Sequence, residues 1–300
     1  MRMPPFLHPG DTVGLTCTAR SISLEELQPA IEILESWGFD VRIGSSIGLV
    51  DHQFGGTDLE RAASFQELLD DVFVKAIFIC RGGYGTVRIM DLIEYSTFFQ
   101  NPKWIVGFSD VTVLHSNLNS QLHIASLHAA MPSVYKDTLP ESLITIKQAL
   151  VGEPIKFTVA SHPLNRNGIC SGELVGGNLS LIYSLLGTKT DIETKDKILF
   201  LEDLDEYLYH IDRMMMSLKR AGKLDHLAGL LVGGMTEMRD NTVPFGKTAE
   251  EIILEHVREY KYPVCFGFPA GHYEDNRAII LGAETKLLVG NDQVTFKQTN

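Results

Sequence analysis

Through the first half of the chain, short apolar runs alternate with stretches whose apolar residues recur at helical spacing. "TVGLTCT" (Thr12 to Thr18) reads as a strand. Ser23-Leu-Glu-Glu26 then spells a capping box, Leu27, Ile31 and Leu34 continue one helix face, and Gly38 supplies a stop. The alternation goes on with "DVRIGS", a helix opened by Thr57-Asp-Leu-Glu60, "VKAIFIC" (Val74 to Cys80), a further helix, "WIVGF", another helix and "HIASLH". Strands that are apolar throughout and separated by helices predict a parallel sheet covered on both faces.

From about Leu150 to Gly168 the pattern lapses into a polar stretch holding Pro154 and Pro163. We read residues 1–155 as one α/β domain, 156–168 as a linker and 169–300 as a second domain. The second half predicts a helix in "GGNLSLIYSLLG", the strand "KILFLED", a helix in "YLYHIDRMMMSLKRAG", the strand "LAGLLVGG" and a helix in "TAEEIILEHVREY". It closes on "PVCFGF", "AIILG", "TKLLVG" and "QVTFKQ", more strands than helices, so its sheet is expected to be mixed. No internal repeat or low-complexity tract interrupts this order.

Composition narrows the class. A chain of 300 residues, 44% of them hydrophobic, is long enough for one large core or two ordinary ones. The net charge of −12, without a Lys/Arg-rich run, argues against nucleic acid as a partner and for a small or neutral substrate. Cys17, Cys80, Cys170 and Cys265 lie far apart and form no C-x-x-C pair, which suggests buried thiols in a reducing compartment. The start lacks a signal-peptide apolar region and no segment is long enough to span a membrane, so a cytoplasmic protein with no membrane partner is expected.

The chemistry concentrates at strand ends, where ligands of parallel α/β sheets collect. In "WIVGFSDVTVLHS" a strand runs through a turn directly into a helix, with Ser109 at the joint. Gly107-Phe-Ser-Asp110 matches the first four positions of a nucleophile elbow, G-x-S-x-G, but Val111 stands where the last glycine belongs. Ser109 or Asp110 as a simple helix cap is the alternative. A nucleophilic serine needs a base, and the base an orienting acid. His115 and His123 fall in or after the helix behind Ser109, and His210 and His256 lie in helical patterns. His272 follows a strand and Pro269-Ala-Gly271, on a loop that can be rigid. "ILFLEDLDEYLYHIDR" offers Glu202, Asp203, Asp205 and Glu206, of which Glu202 is the first charge after the apolar run. The glycine cluster "CRGGYGTVR" follows a strand and leads to a helix. Its amides can cradle an anion, and Gly82 or Gly83 is a candidate second oxyanion donor, although the spacing fits neither dinucleotide nor P-loop motifs.

Taken in order, RGGYG (Arg81 to Gly85), GFSD (Gly107 to Asp110), GGNLSL (Gly176 to Leu181), LEDLDEYLYHIDRM (Leu201 to Met214) and Gly271-His272 resemble the motifs of the LD-carboxypeptidase family, the muramoyl-tetrapeptide carboxypeptidases and the microcin C self-immunity peptidases. The resemblance spans nearly the whole chain. It implies a nucleotide-binding-like parallel α/β N-terminal domain and a swivelling β/α/β C-terminal domain with a mixed sheet. It implies Ser109 as nucleophile, Glu202 as orienting acid, His272 as base, and an oxyanion hole from the amides of Asp110 and Gly83. The activity it implies is release of D-alanine from a cytosolic murein tetrapeptide during cell-wall recycling, without a cofactor.

A carboxypeptidase must also hold a free carboxylate. Arg81, with Gly82 beside it, is the first candidate, followed by Arg20 and Arg88. No metal is implied, because H-E-x-x-H is missing and His210-x-Asp212 is an ordinary helical pair. Met214 to Met216 are expected to fill core or to form a homodimer contact. Two rival readings remain. One is a microcin C immunity-like peptidase acting on aminoacyl-nucleotide amides, for which Trp37 and Trp104 are poorly placed to stack on a base; the other is a non-catalytic module binding a small ligand on the Gly82 to Gly85 amides.

Overall fold

The computed structural model describes residues 1–298. The apolar runs of the first half need partners on both edges and both faces, and they find them in a six-stranded sheet. In chain order this half comprises β1 (Thr12–Thr16), α1 (Leu24–Ser36), β2 (Asp40–Ile43), α2 (Asp58–Asp70), β3 (Val74–Ile79), α3 (Thr86–Ile89), α4 (Ser96–Gln100), β4 (Trp104–Gly107), α5 (Thr112–Asn117), β5 (Ser126–His128) and α6 (Pro140–Val151). Ser23 and Glu26 close the expected capping box on α1, and Thr57 and Glu60 do so on α2. Strands β2, β1, β3, β4 and β5 are parallel.

The second half comprises β6 (Ile155–Ala160), β7 (Gly168–Asn178), α7 (Leu179–Ser184), β8 (Ile198–Leu204), α8 (Leu208–Arg220), β9 (Gly229–Thr236), α9 (Ala249–His256), β10 (Val264–Cys265), β11 (Ile279–Leu281), β12 (Glu284–Val289) and β13 (Gln293–Gln298). Its seven-stranded sheet runs β10-β9-β8-β7-β12-β13-β6. The β7–β8–β9–β10 part is parallel, and β12, β13 and β6 join antiparallel, so the sheet is mixed as expected. Met214 and Met215 are fully buried under it, while Met216 faces outward.

Three strands differ from the sequence reading. Residues 155–160, which that reading assigns mostly to a linker, form β6, because the alternation in "IKFTVA" buries Ile155 and Phe157 and leaves Lys156 and Thr158 outside. β7 has no counterpart in the sequence reading, since four glycines interrupt it and its first half is only partly covered; it includes Gly176, Gly177 and Asn178, so the helix after it starts at Leu179. β11, expected in the second sheet, pairs antiparallel with β5 and closes the edge of the first, which makes that sheet mixed too. No helix among the described residues is long and apolar enough to cross a membrane.

Candidate active site

The carboxyl ends of β4, β7 and β8 come together: Asn178 pairs with Glu202 across β7 and β8, and its amide reaches Thr112 just beyond the turn that follows β4. Ser109 follows β4 and opens a single 3-10 turn, Ser109–Val111, that leads into α5. Its φ of +61° lies in the left-handed region, which a residue with a side chain occupies at a cost of about 1–3 kcal/mol and keeps only where the surroundings impose it. Here they do. A Cβ on Gly107 would stand 2.8 Å from Val111 Cγ2, so the glycine lets buried Val111 fold back over the strand end. Val111 therefore takes up the space that Gly107 leaves, which gives the departure from G-x-S-x-G a structural counterpart. His115, fully buried, reaches the Gly107 carbonyl at 2.9 Å through Nε2 and Ser126 Oγ at 2.8 Å through Nδ1, and so fixes the strand end from below.

Neither Ser109 nor Asp110 caps the helix that follows them. Ser109 Oγ lies 3.2 Å from Nε2 of His272, and His272 Nδ1 lies 2.6 Å from Oε2 of Glu202. Glu202 is fully buried near the end of β8 and His272 is half-buried on the loop before β11. Strand alternation separates the neighbouring acids: Glu202 faces the imidazole, whereas Asp203 points the other way and accepts from Asn178 Nδ2 and the Ser180 amide, each at 2.9 Å. The loop is shaped around the acid, because Gly271 has φ +107° and a Cβ there would stand 2.7 Å from Glu202 Oε2. Phe108 covers the imidazole with ring centroids 4.7 Å apart.

Burial opposes protonation of His272, but the adjacent Glu202 carboxylate, supported by Asp203 and Glu237, outweighs it and holds the imidazole above its usual 6.5. Asp203 is pushed up to about 7, first by burial and then by the charge of Glu202. Asp110 is also raised, chiefly by burial; its Oδ2 accepts from the Thr86 amide at 2.9 Å, which ties the glycine loop to the turn that carries Ser109.

The other sequence candidates separate clearly. Gly82 is buried beside the serine, with its Cβ position 3.6 Å from Ser109 Cβ. Gly83 is exposed at φ +102°, and its N–H meets no acceptor among the described residues. Arg81 turns away to α1, donating to the Ser21 carbonyl at 3.1 Å and standing 3.6 Å from Glu26. Arg88 is paired with Asp58, His210 with Glu206 and His256 with Asp212; Asp205 pairs with Arg239. Trp104 is buried and stacks on Phe6, and Trp37 ends α1. Among the described residues no cluster of three or more His, Cys, Asp or Glu is placed to hold a metal ion.

Sequence reasoning missed two contributors. Thr112, the first residue of α5, accepts from the Asn178 amide at 3.0 Å, and Gly177 is where β7 packs against it. His128 packs edge-on against Phe200 and Phe108 behind the imidazole, and burial holds it neutral. Thr112 carried no signal in isolation, while the run "GGN" did.

Comparison with known proteins agrees with this picture. The LD-carboxypeptidase N-terminal domain matches residues 13–129 and the LD-carboxypeptidase C-terminal domain matches residues 171–287. A probable murein peptide carboxypeptidase of Bacillus subtilis (strain 168) is 34% identical over 95% of this chain and 91% of its own. Among solved structures, a muramoyltetrapeptide carboxypeptidase from Oxalobacter formigenes superposes with a TM-score of 0.87 at 23% identity, covering 96% of this chain and 99% of that one. The microcin C7 self-immunity protein MccF in complex with glutamyl sulfamoyl guanosine has the same fold, with a TM-score of 0.86 at 20% identity over 99% and 98% of the two chains.

Proposed function

Because the chain belongs to the LD-carboxypeptidase family, we propose that it is a serine L,D-carboxypeptidase that cuts the L-to-D peptide bond releasing terminal D-alanine from a murein tetrapeptide, a step of cell-wall recycling. The observation that carries this reading is the line from Ser109 Oγ through His272 to Glu202, at 3.2 and 2.6 Å. The segment that carries β4 supplies the nucleophile, and the segment that follows β7 supplies its two partners.

In this mechanism His272 carries its proton on Nδ1, donated to Glu202, so Nε2 is free to accept. Ser109 Oγ attacks the carbonyl carbon of the L-residue as its proton passes to Nε2. The oxygen that becomes negative is met by the amides of Gly83 and Asp110, the latter among the first N–H groups of a helical turn and so without an intrahelical acceptor. Each such donor is worth about 3 kcal/mol of transition-state stabilisation. The imidazolium, steadied by Glu202, gives its proton to the D-alanine nitrogen as the C–N bond breaks. Water, deprotonated by the same imidazole, then releases the acyl group from Ser109.

The likeness to the microcin C7 self-immunity protein brings a second substrate class into the test. Purified protein is offered a murein tetrapeptide, its analogue ending in L-alanine, and aspartyl sulfamoyl adenosine, with products followed by mass spectrometry. Cleavage of the D-alanine peptide well above the other two supports the proposal. Preference for the sulfamoyl nucleoside would move this chain to the immunity-like activity, and cleavage of none of them would favour a binding module.

A further inference from the structure

An enzyme that removes one residue from a chain end must hold a carboxylate just beyond the bond it cuts, within the roughly 3.3–3.6 Å that one extended residue spans. A guanidinium is the side chain best matched to that planar anion. Four arginines border the Arg81 to Gly85 loop, and three are already engaged. Arg61 is fully buried and donates to Asp58 and to the carbonyls of Gly56, Thr18 and Gly85. Arg88 grips both carboxylate oxygens of Asp58, at 2.7 to 3.1 Å. Arg81 is held by Ser21 and Glu26.

Arg20 differs from all three. It is exposed, and its guanidinium has neither an acid nor a carbonyl acceptor among the described residues. It is nonetheless held in place. Its amide donates to the Gly82 carbonyl at 3.4 Å, its backbone forms a bridge to Phe54, and its side chain lies across Gly83 so closely that a Cβ there would stand 2.5 Å from Arg20 Nε. Gly82, the next residue back, packs against Ser109. An uncommitted cation is thus laid along the outer side of the loop whose inner side borders the nucleophile.

We propose that Arg20, not Arg81, binds the terminal carboxylate of the peptide and thereby sets the demand for a free C-terminus; this rests on the carboxypeptidase reading of the site. The missing side chain at Gly83 has a function in this scheme, since any Cβ there would push the guanidinium off the loop. The D-alanine carboxylate would lie on the leaving-group side of Ser109, with the guanidinium forming two parallel N–H···O bonds to it.

Steady-state kinetics on two peptides test this, one ending in D-alanine and one in D-alaninamide. Wild type is expected to favour the acid on the order of 10- to 100-fold in kcat/KM, the scale of one charge-assisted pair. Arg20→Gln is expected to lose that factor on the acid, mainly through KM, and to leave the amide unchanged, so the preference falls to near one; Arg20→Lys recovers part of it. Arg81→Gln keeps the preference. If wild type releases D-alanine and Arg20→Gln retains the wild-type preference, or Arg81→Gln abolishes it, Arg20 does not have this role while the carboxypeptidase reading stands. If wild type cleaves neither peptide, both fall.

Discussion

In the proposed mechanism His272 acts as a base only when neutral, and the charge of Glu202 keeps it protonated to a higher pH than a free imidazole. The acid limb of kcat/KM is therefore expected above pH 6.5, with activity lost as pH falls through it. Glu202→Gln removes the raising charge, so the limb should move to lower pH while the plateau drops by on the order of 10³-fold or more; a pH–rate profile of both proteins checks this, and an unmoved limb would contradict it. Stability is linked to the same raised value with the opposite sign. The His272–Glu202 pair contributes fully below the unfolded value of 6.5 and its contribution disappears as pH rises through the raised folded value. Gly271→Ala should lower kcat by on the order of 100-fold, since a Cβ 2.7 Å from Glu202 Oε2 displaces the acid. At this scale the sequence was informative because Ser109, Glu202 and His272 each follow an apolar run and so announce a strand end. It did not reveal that Arg81 turns toward Glu26, a contact between segments that meet only after folding.

Among elements, the turn that carries Ser109 is held from two sides. Asp110 fastens it to the start of α3, and Thr112 fastens α5 to β7 through the Asn178 amide. Asp110→Ala is expected to free the Thr86 amide and the glycine loop, lowering kcat/KM by on the order of 100-fold, while Asp110→Asn, which keeps one acceptor oxygen, stays within about tenfold of wild type. Thr112→Val preserves shape but strands a buried amide, a loss of about 1–3 kcal/mol readable in a denaturant melt. The capping boxes make α1 and α2 legible from the order of their residues alone. β7 is not legible in that way, because glycines that weaken a strand in isolation are here what allow close approach: a Cβ on Gly177 would stand 2.5 Å from Thr112 Oγ1.

The whole molecule assembles its site from two sheets, Ser109 following a strand of the first, Glu202 on a strand of the second, and His272 on the loop that crosses from β10 of the second to β11 of the first. β11 lies near the end of the chain yet closes the β5 edge, with Ile279, Ile280 and Leu281 all fully buried. A fragment of residues 1–155 lacks that strand and exposes the β5 edge, so it is expected to aggregate or to show no cooperative melt, whereas the full chain melts cooperatively. The alternation of strands and helices predicted the class of both halves and "AIILG" announced a strand, but nothing in three apolar residues says which sheet they join. The most direct test of the whole account is D-alanine release from UDP-MurNAc-tetrapeptide, followed side by side for wild type and Ser109→Ala. The account predicts release by wild type, with one D-alanine and one tripeptide per tetrapeptide, and a loss on the order of 10³-fold or more in the variant; equal release by the two proteins, or none by wild type, would contradict it.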